Sequence, residues 1–388
     1  MHGLGEQHPD WRAHVVSSGS GPLTDELKRL GVSHETIPFP RALEQLGDTP
    51  EAGVKAIHSF GRAAWAAPFT AKYVHRIRGA LMRERPDVVH SNGFKMHAIG
   101  ALASPGSWRL LWHMHDFLSL RRVMIPLLRF EAGRCSLAVG NSESVASDLR
   151  RVLGTKVTIR TILNGVDLNR FSSDGPTLDL DAASGLPPAP FGTVRIGLVA
   201  QMATWKGHDV FLRAVASVPR TIPLRAYIIG DRIYETATPQ HSVFELREMA
   251  SQLGIADRVG FTARVNDIPS AMRSLDVVVH ASTKPEPFGL VIVEAMASGR
   301  PVIVSNAGGA AEILKTNNGQ FALAHTPGDV NELARAIASL CSDAELRHKL
   351  GKEGKRQAEL RFDRRRYARE FAAAYDKLVS SAQVSAHD

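Results

Sequence analysis

Asp276-Val-Val-Val-His-Ala281, Lys284-Pro-Glu-Pro-Phe-Gly-Leu-Val-Ile-Val-Glu-Ala-Met-Ala-Ser-Gly-Arg-Pro301 and Val302-Ile-Val-Ser305 follow one another almost without a gap. The first and last runs are short, rich in β-branched residues and nearly all apolar, the composition of strands covered on both faces. The run between them is helical: a loop carries Glu286, a helix begins near Phe288 and ends at Ser298, Gly299 stops it and Pro301 starts the next strand. Strand, helix, strand at this spacing predicts a parallel pair with a crossover helix.

The same alternation runs outward in both directions. Upstream strand candidates are Ala13–Ser17, Asp87–His90, Arg109–His113, Leu137–Gly140 and Val157–Leu163, with helices at Asp25–Leu30, Ala71–Arg85 and Ser142–Leu153. In the second half, strands are expected at Arg195–Ala200, Arg225–Gly230 and Arg258–Phe261, with helices at His208–Ser217, Ser242–Leu253, Ile268–Ser274 and Leu290–Ser298. Between the halves, Ser172–Thr193 is rich in Pro, Gly, Ser and Asp and reads as a linker. The expected organisation is a first α/β domain over residues 1–171, the linker 172–193, a second α/β domain over 194–362, and a C-terminal helix and polar tail over 363–388 that can cross back to the first domain. This is an α/β chain of two Rossmann-like domains with parallel sheets facing across a cleft. Ligands of such sheets sit at the carboxyl ends of the strands, where helix N-termini point at anions.

Composition sets limits. With 388 residues, 44% hydrophobic and 22% charged, the chain can bury two cores. Cys135 and Cys341 are far apart and without a CxxC neighbour, so both are expected to be buried thiols. No run of eighteen uncharged apolar residues occurs, and the first ten residues lack a signal-peptide pattern; a cytoplasmic protein is expected. The net charge of +8 is spread along the chain and mixed with acids, with no aromatic-interleaved basic stripe, so nucleic acid is not an expected partner.

The chemistry concentrates around residues 284–301. Gly289 permits close backbone approach, and the N–H groups of Phe288, Gly289 and Leu290 could hold phosphate. Glu286 could accept hydrogen bonds from sugar hydroxyls and Glu294 from a ribose diol; an unpartnered carboxylate inside Val-Ile-Val-Glu-Ala-Met would be costly, which argues against a merely structural acid. Here the sequence resembles a family. The phrase EPFGLVIVEAMASGRPVI, with Glu286 and Glu294 separated by seven residues, is similar to the E-x7-E motif of the retaining GT-B glycosyltransferases of family GT4. The resemblance implies that Glu286 contacts the donor sugar, Glu294 the ribose, and the helix N-terminus the diphosphate. Gly197-Leu-Val-Ala-Gln-Met-Ala-Thr-Trp-Lys-Gly-His-Asp-Val-Phe-Leu212 resembles that family's G-R-x4-K-G loop: Lys206 and Gly207 fit, while Ala200 and Gln201 stand where the family has Gly and Arg. Gln201 can donate hydrogen bonds but carries no charge. Asn164-Gly-Val-Asp167, Gly230-Asp231, and Asn306-Ala-Gly-Gly-Ala-Ala-Glu312 are weaker matches, and Val265 lies where the family's backbone reads the base.

The first domain is expected to hold the acceptor. In Trp112-His-Met-His-Asp-Phe117, His113 and His115 alternate to one strand face, and by resemblance His115 matches the family's histidine near the reacting centre. Asn92 and Asn141 end neighbouring strands and are expected to line the same cleft, with Asn141 and Ser142 also candidate helix caps. Ser119-Leu-Arg-Arg-Val-Met-Ile-Pro-Leu-Leu-Arg129 mixes apolar and basic residues; it reads as a half-buried helix, or as a segment that lies on an anionic membrane and fetches a lipid-linked acceptor.

The resemblance runs from Trp11 to about Tyr375. The family opens with a strand, a Gly-rich loop and a helix; here the first ten residues look like the end of that helix and His14-Val-Val-Ser-Ser18 like the second strand. A missing first strand would leave its neighbours unpaired, so low stability or lost activity is expected for the chain as written.

The implied function is transfer of a sugar from a UDP- or GDP-sugar to a sugar or lipid-linked acceptor hydroxyl, with retention, in glycan, glycolipid or polysaccharide synthesis, and with no metal or other cofactor. Asp179-Leu-Asp181 is an Asp-x-Asp in the linker and is expected to be solvated. Two rivals remain: a pseudoenzyme that binds nucleotide sugar without turnover, motivated by the missing first loop and by Gln201, and a sugar-nucleotide epimerase or phosphorylase on the same fold.

Overall fold

The computed structural model describes residues 2–44, 56–104, 106, 108–232, 239–262, 264–315 and 319–384. Ala263 and the last four residues of the expected tail lie outside the described residues. The chain forms two compact units, Met1–Leu163 with Arg365–Asp388, and Asn164–Arg364.

The first unit contains β1 (His14–Ser17), β2 (Ser33–Thr36), β3 (Val88–Asn92), β4 (Arg109–Met114), β5 (Cys135–Gly140) and β6 (Ile159–Thr161). All pairings are parallel, but they make two sheets: β1 with β2, and β3-β4-β5-β6 in that order. Among the described strands β1 pairs only with β2, and β3 only with β4. β2 escaped the sequence reading because Ser33-His-Glu-Thr36 has no apolar residue; the main chain of β1 holds it extended. The helix at Ala56–Glu84 is longer than the expected Ala71–Arg85 and carries Pro68 in its interior.

One face of the β3–β6 sheet packs Trp112, Met114, Leu118, Leu128, Val145 and Leu149 into a core. The other receives the C-terminal helix Arg364–Val384, whose Phe371, Ala374 and Leu378 cover Leu111, Leu137, Val139 and Ile162. Arg366 adds a hydrogen bond from Nη2 to the Leu163 carbonyl at 2.6 Å. Both cysteines are free and buried.

The second unit is one six-stranded parallel sheet. Its strands are β7 (Val194–Val199), β8 (Leu224–Ile229), β9 (Val259–Thr262), β10 (Val277–His280), β11 (Val302–Ser305) and β12 (Ala322–His325). Their spatial order is β12-β11-β10-β7-β8-β9. Sequence order therefore reverses between β10 and β7, the position where open parallel sheets leave a crevice at their carboxyl ends. The strands are buried on both faces, as their apolar runs require.

The aperiodic stretch 172–193 differs from the expected loose linker. It packs on the second unit and holds a helical turn, Leu180–Ala183, capped by Asp179, whose carboxylate accepts from the Ala182 N–H at 3.0 Å. Asp181 is not solvated but 4% exposed. Its Oδ1 accepts from Arg225 Nη1 and Tyr227 Oη, both at 2.6 Å, and its Oδ2 from the Ala189 N–H at 2.9 Å and Arg195 Nη2 at 3.2 Å. Burial pushes this carboxyl up, but the hydrogen bonds from Tyr227 and Arg225 outweigh it and hold it well below the usual carboxylate range. Composition could not show this, because both arginines lie in later strands.

Two consequences are testable. Asp181→Ala leaves the buried Arg225 without its counter-charge and should lower the unfolding free energy by about 3 kcal/mol in urea titration, with no change in the denaturant slope. In the first unit, burial followed by the charges of neighbouring histidines lowers His90 to about 4 and His97 to about 3, and lowers His113 further. These imidazoles are neutral when folded and take up protons on unfolding below their ordinary value of 6.5. Their contribution is complete above that pH and is lost as pH falls toward 4, by about 1.4 kcal/mol per pH unit for each group. Melting temperatures between pH 7 and 4.5 should fall steeply, and His113→Phe should flatten the slope.

Candidate functional site

The loop after β7 and the loop after β10 meet at the reversal point of the second sheet. Lys206 ends a 3-10 turn, Thr204–Lys206, and Gly207 follows it in a left-handed conformation, φ 74°. A Cβ at Gly207 would stand 2.0 Å from the Ala281 carbonyl oxygen, so only glycine lets the Lys206 turn close onto the end of β10. Thr283 strengthens the contact, its N–H donating to the Trp205 carbonyl at 2.8 Å.

That closure brings Lys206 and Glu286 together. The Lys206 ammonium donates to Oε1 and Oε2 of Glu286 at 2.8 and 2.9 Å, and lies 4.1 Å from the Trp205 ring centroid. Glu286 Oε2 also accepts from Ser282 Oγ at 2.8 Å and from His280 Nε2 at 3.2 Å. Burial pushes the Glu286 carboxyl up; the His280 hydrogen bond and the Lys206 charge overcome that and hold it at about 2. It is an ionised acceptor throughout the neutral range. His280 is pushed the other way by its own burial, against the pull of Glu286. With Nε2–H directed at Glu286, its Nδ1 is left buried and unpartnered.

The backbone of Glu286 is fixed from behind. Its carbonyl accepts from the Gly309 N–H at 2.7 Å, and a Cβ at Gly308 or Gly309 would stand within 2.4 Å of the carbonyl oxygens of Glu286 and Pro287. The Gly-Gly turn is therefore a close-packing device for the glutamate loop. Asn164-Gly-Val-Asp167 is structural in the same sense, Val166 donating to the Phe362 carbonyl at 2.7 Å and Asp167 pairing with Arg364.

Gly289, left-handed at φ 96°, caps the helix Leu290–Ala297, which begins two residues later than the expected Phe288. Phe288 is instead an anchor, buried and edge-on to Phe362 at 5.9 Å. The Ile292 N–H turns back to the Gly289 carbonyl at 3.0 Å, and the N–H groups ahead of it open the helix beside Glu286, a geometry suited to an anion. Glu294, inside the helix, makes no side-chain hydrogen bond to any described residue. Burial raises it to about 7, with only partial relief from the charge of Arg170.

The remaining candidates share the carboxyl edge of the sheet without touching the ion pair. Gln201 is exposed just after β7, Gly230 follows β8 and packs on the Ala200 carbonyl, and Val265 is half-buried after β9. Sequence reasoning missed His280 and Ser282. One signal was present: His280 is the single polar residue in the run Val277–His280 and stands at its carboxyl end.

In the first unit the structure brings His115 and Asn92 together, Nε2 to Oδ1 at 3.0 Å, across the ends of β4 and β3. Burial lowers His115 below its ordinary value, so the imidazole is neutral at pH 7. His113 lies beneath it, the rings tilted by 45° with centroids 4.0 Å apart, as their spacing along the strand predicts. Asn141 is buried beyond β5, donating its N–H to the Met114 carbonyl at 3.2 Å while its Oδ1 is unpartnered. It is not a helix cap; Ser142 is, accepting from the Val145 N–H at 3.1 Å.

Known proteins share this pattern. Residues 191–357 match the family model for glycosyl transferases group 1, and residues 22–170 match that for Glycosyltransferase Family 4. The lipopolysaccharide core biosynthesis mannosyltransferase LpsB of Rhizobium meliloti (strain 1021) is 28% identical over 61% of this chain and 65% of its own length. The corresponding LpcC of Rhizobium leguminosarum bv. viciae is 32% identical over 56% and 59%. The chain thus spans about half to two thirds of the length of such curated relatives. Among solved structures, Anabaena Alr3699/HepE in complex with UDP and glucose superposes with a TM-score of 0.75 at 27% identity, covering 96% of this chain and 94% of that one. Sucrose-phosphate synthase from Thermosynechococcus elongatus shares the fold, with a TM-score of 0.72 at 21% identity over 98% and 92%. With one model matching each half and the same GT-B architecture in the solved neighbours, this chain belongs to the glycosyl transferases group 1, its first half being of the family 4 type.

Proposed function

We propose that the protein transfers a hexose from a nucleoside diphosphate sugar to an acceptor hydroxyl with retention of configuration, in the assembly of a lipopolysaccharide or other polysaccharide. The observation that carries this reading is the Lys206–Glu286 pair at the reversal point of the sheet, beside a helix N-terminus and an unpartnered Glu294. A cation and free N–H groups suit a diphosphate, Glu286 suits sugar hydroxyls, and Glu294 suits a ribose diol. UDP is the favoured nucleotide because the HepE structures hold UDP and UDP-glucose; GDP is the alternative.

In this mechanism Lys206, Gln201 and the first turn of Leu290–Ala297 stabilise the charge that develops on the departing diphosphate. Glu286, ionised at about 2, orients the sugar and does not serve as a proton donor. The acceptor hydroxyl attacks from the leaving-group side and the diphosphate takes its proton. His115, neutral and held by Asn92, hydrogen-bonds a sugar hydroxyl. No metal is required: Asp179 and Asp181 of the Asp-x-Asp are committed to a helix cap and to Arg225. We place the reaction in the cytoplasm, with an acceptor that is a sugar or a lipid-linked sugar; among the described residues no helix is long and apolar enough to cross a membrane.

Thermal melting with UDP, UDP-glucose, GDP and GDP-mannose, run beside turnover with each sugar nucleotide, tests the reading. A melting shift with turnover supports it; a shift without turnover identifies a pseudoenzyme; no response to any of the four overturns the donor site. Lys206→Ala should lower kcat/KM by about 100- to 1000-fold, and because it leaves the buried Glu286 carboxylate without its counter-charge it should also cost about 3 kcal/mol of stability in urea titration. Glu294, at about 7, favours the ligand when ionised, so donor affinity should fall as pH drops from 8 to 6. Because a raised carboxyl stabilises the fold only below its folded value, Glu294→Gln should raise the apo melting temperature at pH 8 by roughly 2–4 °C and abolish the donor-induced rise.

A further inference from the structure

The hydrogen bonds to Glu286 are shared unequally between its two oxygens. Oε2 accepts from the Lys206 ammonium at 2.9 Å, the Ser282 hydroxyl at 2.8 Å and His280 Nε2 at 3.2 Å. Oε1, among the described residues, accepts from Lys206 alone, at 2.8 Å. The neutral His280 carries its proton on Nε2, because a proton on Nδ1 would be buried without an acceptor and would leave a lone pair facing the carboxylate. The unpartnered Nδ1 is a cost that the end of β10 bears in order to present Nε2–H to Glu286.

Both neutral donors are fixed by strands farther along the sheet, in the order β10, β11, β12. The Ser305 hydroxyl, at the end of β11, donates to the Ser282 carbonyl at 2.5 Å. His325, at the end of β12, sets Nε2 at 3.2 Å from the His280 carbonyl and Nδ1 at 2.9 Å from the Thr326 carbonyl. His280, Ser282, Ser305 and His325 are all buried. Among the described residues, the charged and titratable groups that face Glu286 are therefore Lys206, from the turn after β7, and His280, from β10. His325 reaches it only through the main chain of His280, and the Gly308-Gly309 turn behind it presents backbone alone.

We propose that His280 and Ser282 are positioning residues that allow Lys206 to change partners when a nucleoside diphosphate sugar binds. The ammonium turns from Oε1 to the phosphate oxygens, the two neutral donors keep Oε2 in place, and Oε1 opens to a hydroxyl of the donor sugar. This rests on the donor reading given above. An ammonium has three N–H groups. Two of them serve Glu286, and the Trp205 ring lies 4.1 Å from the same nitrogen, so Lys206 cannot serve a diphosphate fully without loosening its hold on the glutamate. A carboxylate as buried as Glu286 would then take up a proton if no other donors held it, and would lose an acceptor for the sugar. Hydrogen bonds from His280 and Ser282 favour the charged form and prevent this.

Carboxyl carbon resonances of the full chain, labelled with carbon-13 at glutamate, report the titration of Glu286, assigned by its loss in Glu286→Gln. The measurement is made with UDP bound, or with GDP if that is the nucleotide that raises the melting temperature. Ser282→Ala and His280→Phe should each titrate about one pH unit higher than wild type, and His280→Gln, which keeps a donor, should return to the wild-type value. The acid limb of kcat/KM for the matching sugar nucleotide, UDP-glucose or GDP-mannose, should move by the same amount, so that the loss shrinks toward pH 8. A merely structural role would lower activity equally at every pH. Ser282→Ala removes one hydroxyl only and carries the test if His280→Phe does not fold. The same titration in nucleotide-bound wild type and Ser282→Ala, or a loss independent of pH, would overturn the proposal and leave the donor reading standing. A wild type that responds to neither UDP nor GDP would overturn the donor reading and this proposal with it.

Discussion

The ion pair between Lys206 and Glu286 depends on one topological event, the parallel pairing of β10 beside β7. The two residues are 80 positions apart in the chain and have no local reason to meet. Pairing Val277 with Ile196 and Val278 with Gly197 puts the ends of both strands side by side, and the loops that leave them converge. A buried carboxylate is tolerable only when its lone pairs are satisfied. Lys206, His280 and Ser282 satisfy them, so the site is a stable feature of the fold before any ligand arrives.

The same loop and helix hold two glutamates in opposite electrostatic states. Among the described residues Glu286 has three donors and is held at about 2, while Glu294 has none and is raised to about 7. Burial acts on both in the same direction; partners decide the outcome. A group whose desolvation is already offset serves to orient, and one whose desolvation is not offset gains from a ligand that supplies donors. This division is why Glu294, unlike Glu286, is costly to the free protein.

The first unit shows a different economy. His115 sits over a layer of buried, neutral imidazoles and the aromatic side chains of the C-terminal helix, His90 stacking on Phe371 at 5.3 Å and donating to or accepting from Tyr375 at 2.6 Å. That helix is the last element of the chain yet covers the face formed by β4 and β5, so the first unit is completed only when the whole chain is present. The division of its strands into two sheets leaves one edge of β1 and one of β3 without a partner among the described strands.

Much was legible locally. Apolar runs marked ten of the twelve described strands, those of the second sheet because burial on both faces imposes their composition, while β2 escaped because Ser33–Thr36 has no apolar residue and is held by pairing with β1 and by side-chain hydrogen bonds such as Ser17 with Thr36. Glu286, Glu294 and Lys206 were readable from their phrases, since glycine, helix start and acid fall within a few residues of each other. The tertiary structure alone decided who partners whom. It buried Asp181 against arginines from two later strands, assigned His280 and Ser282 to Glu286, and left Glu294 without a donor. Period and propensity are properties of neighbouring residues, whereas desolvation and hydrogen bonding depend on what the fold brings from elsewhere in the chain.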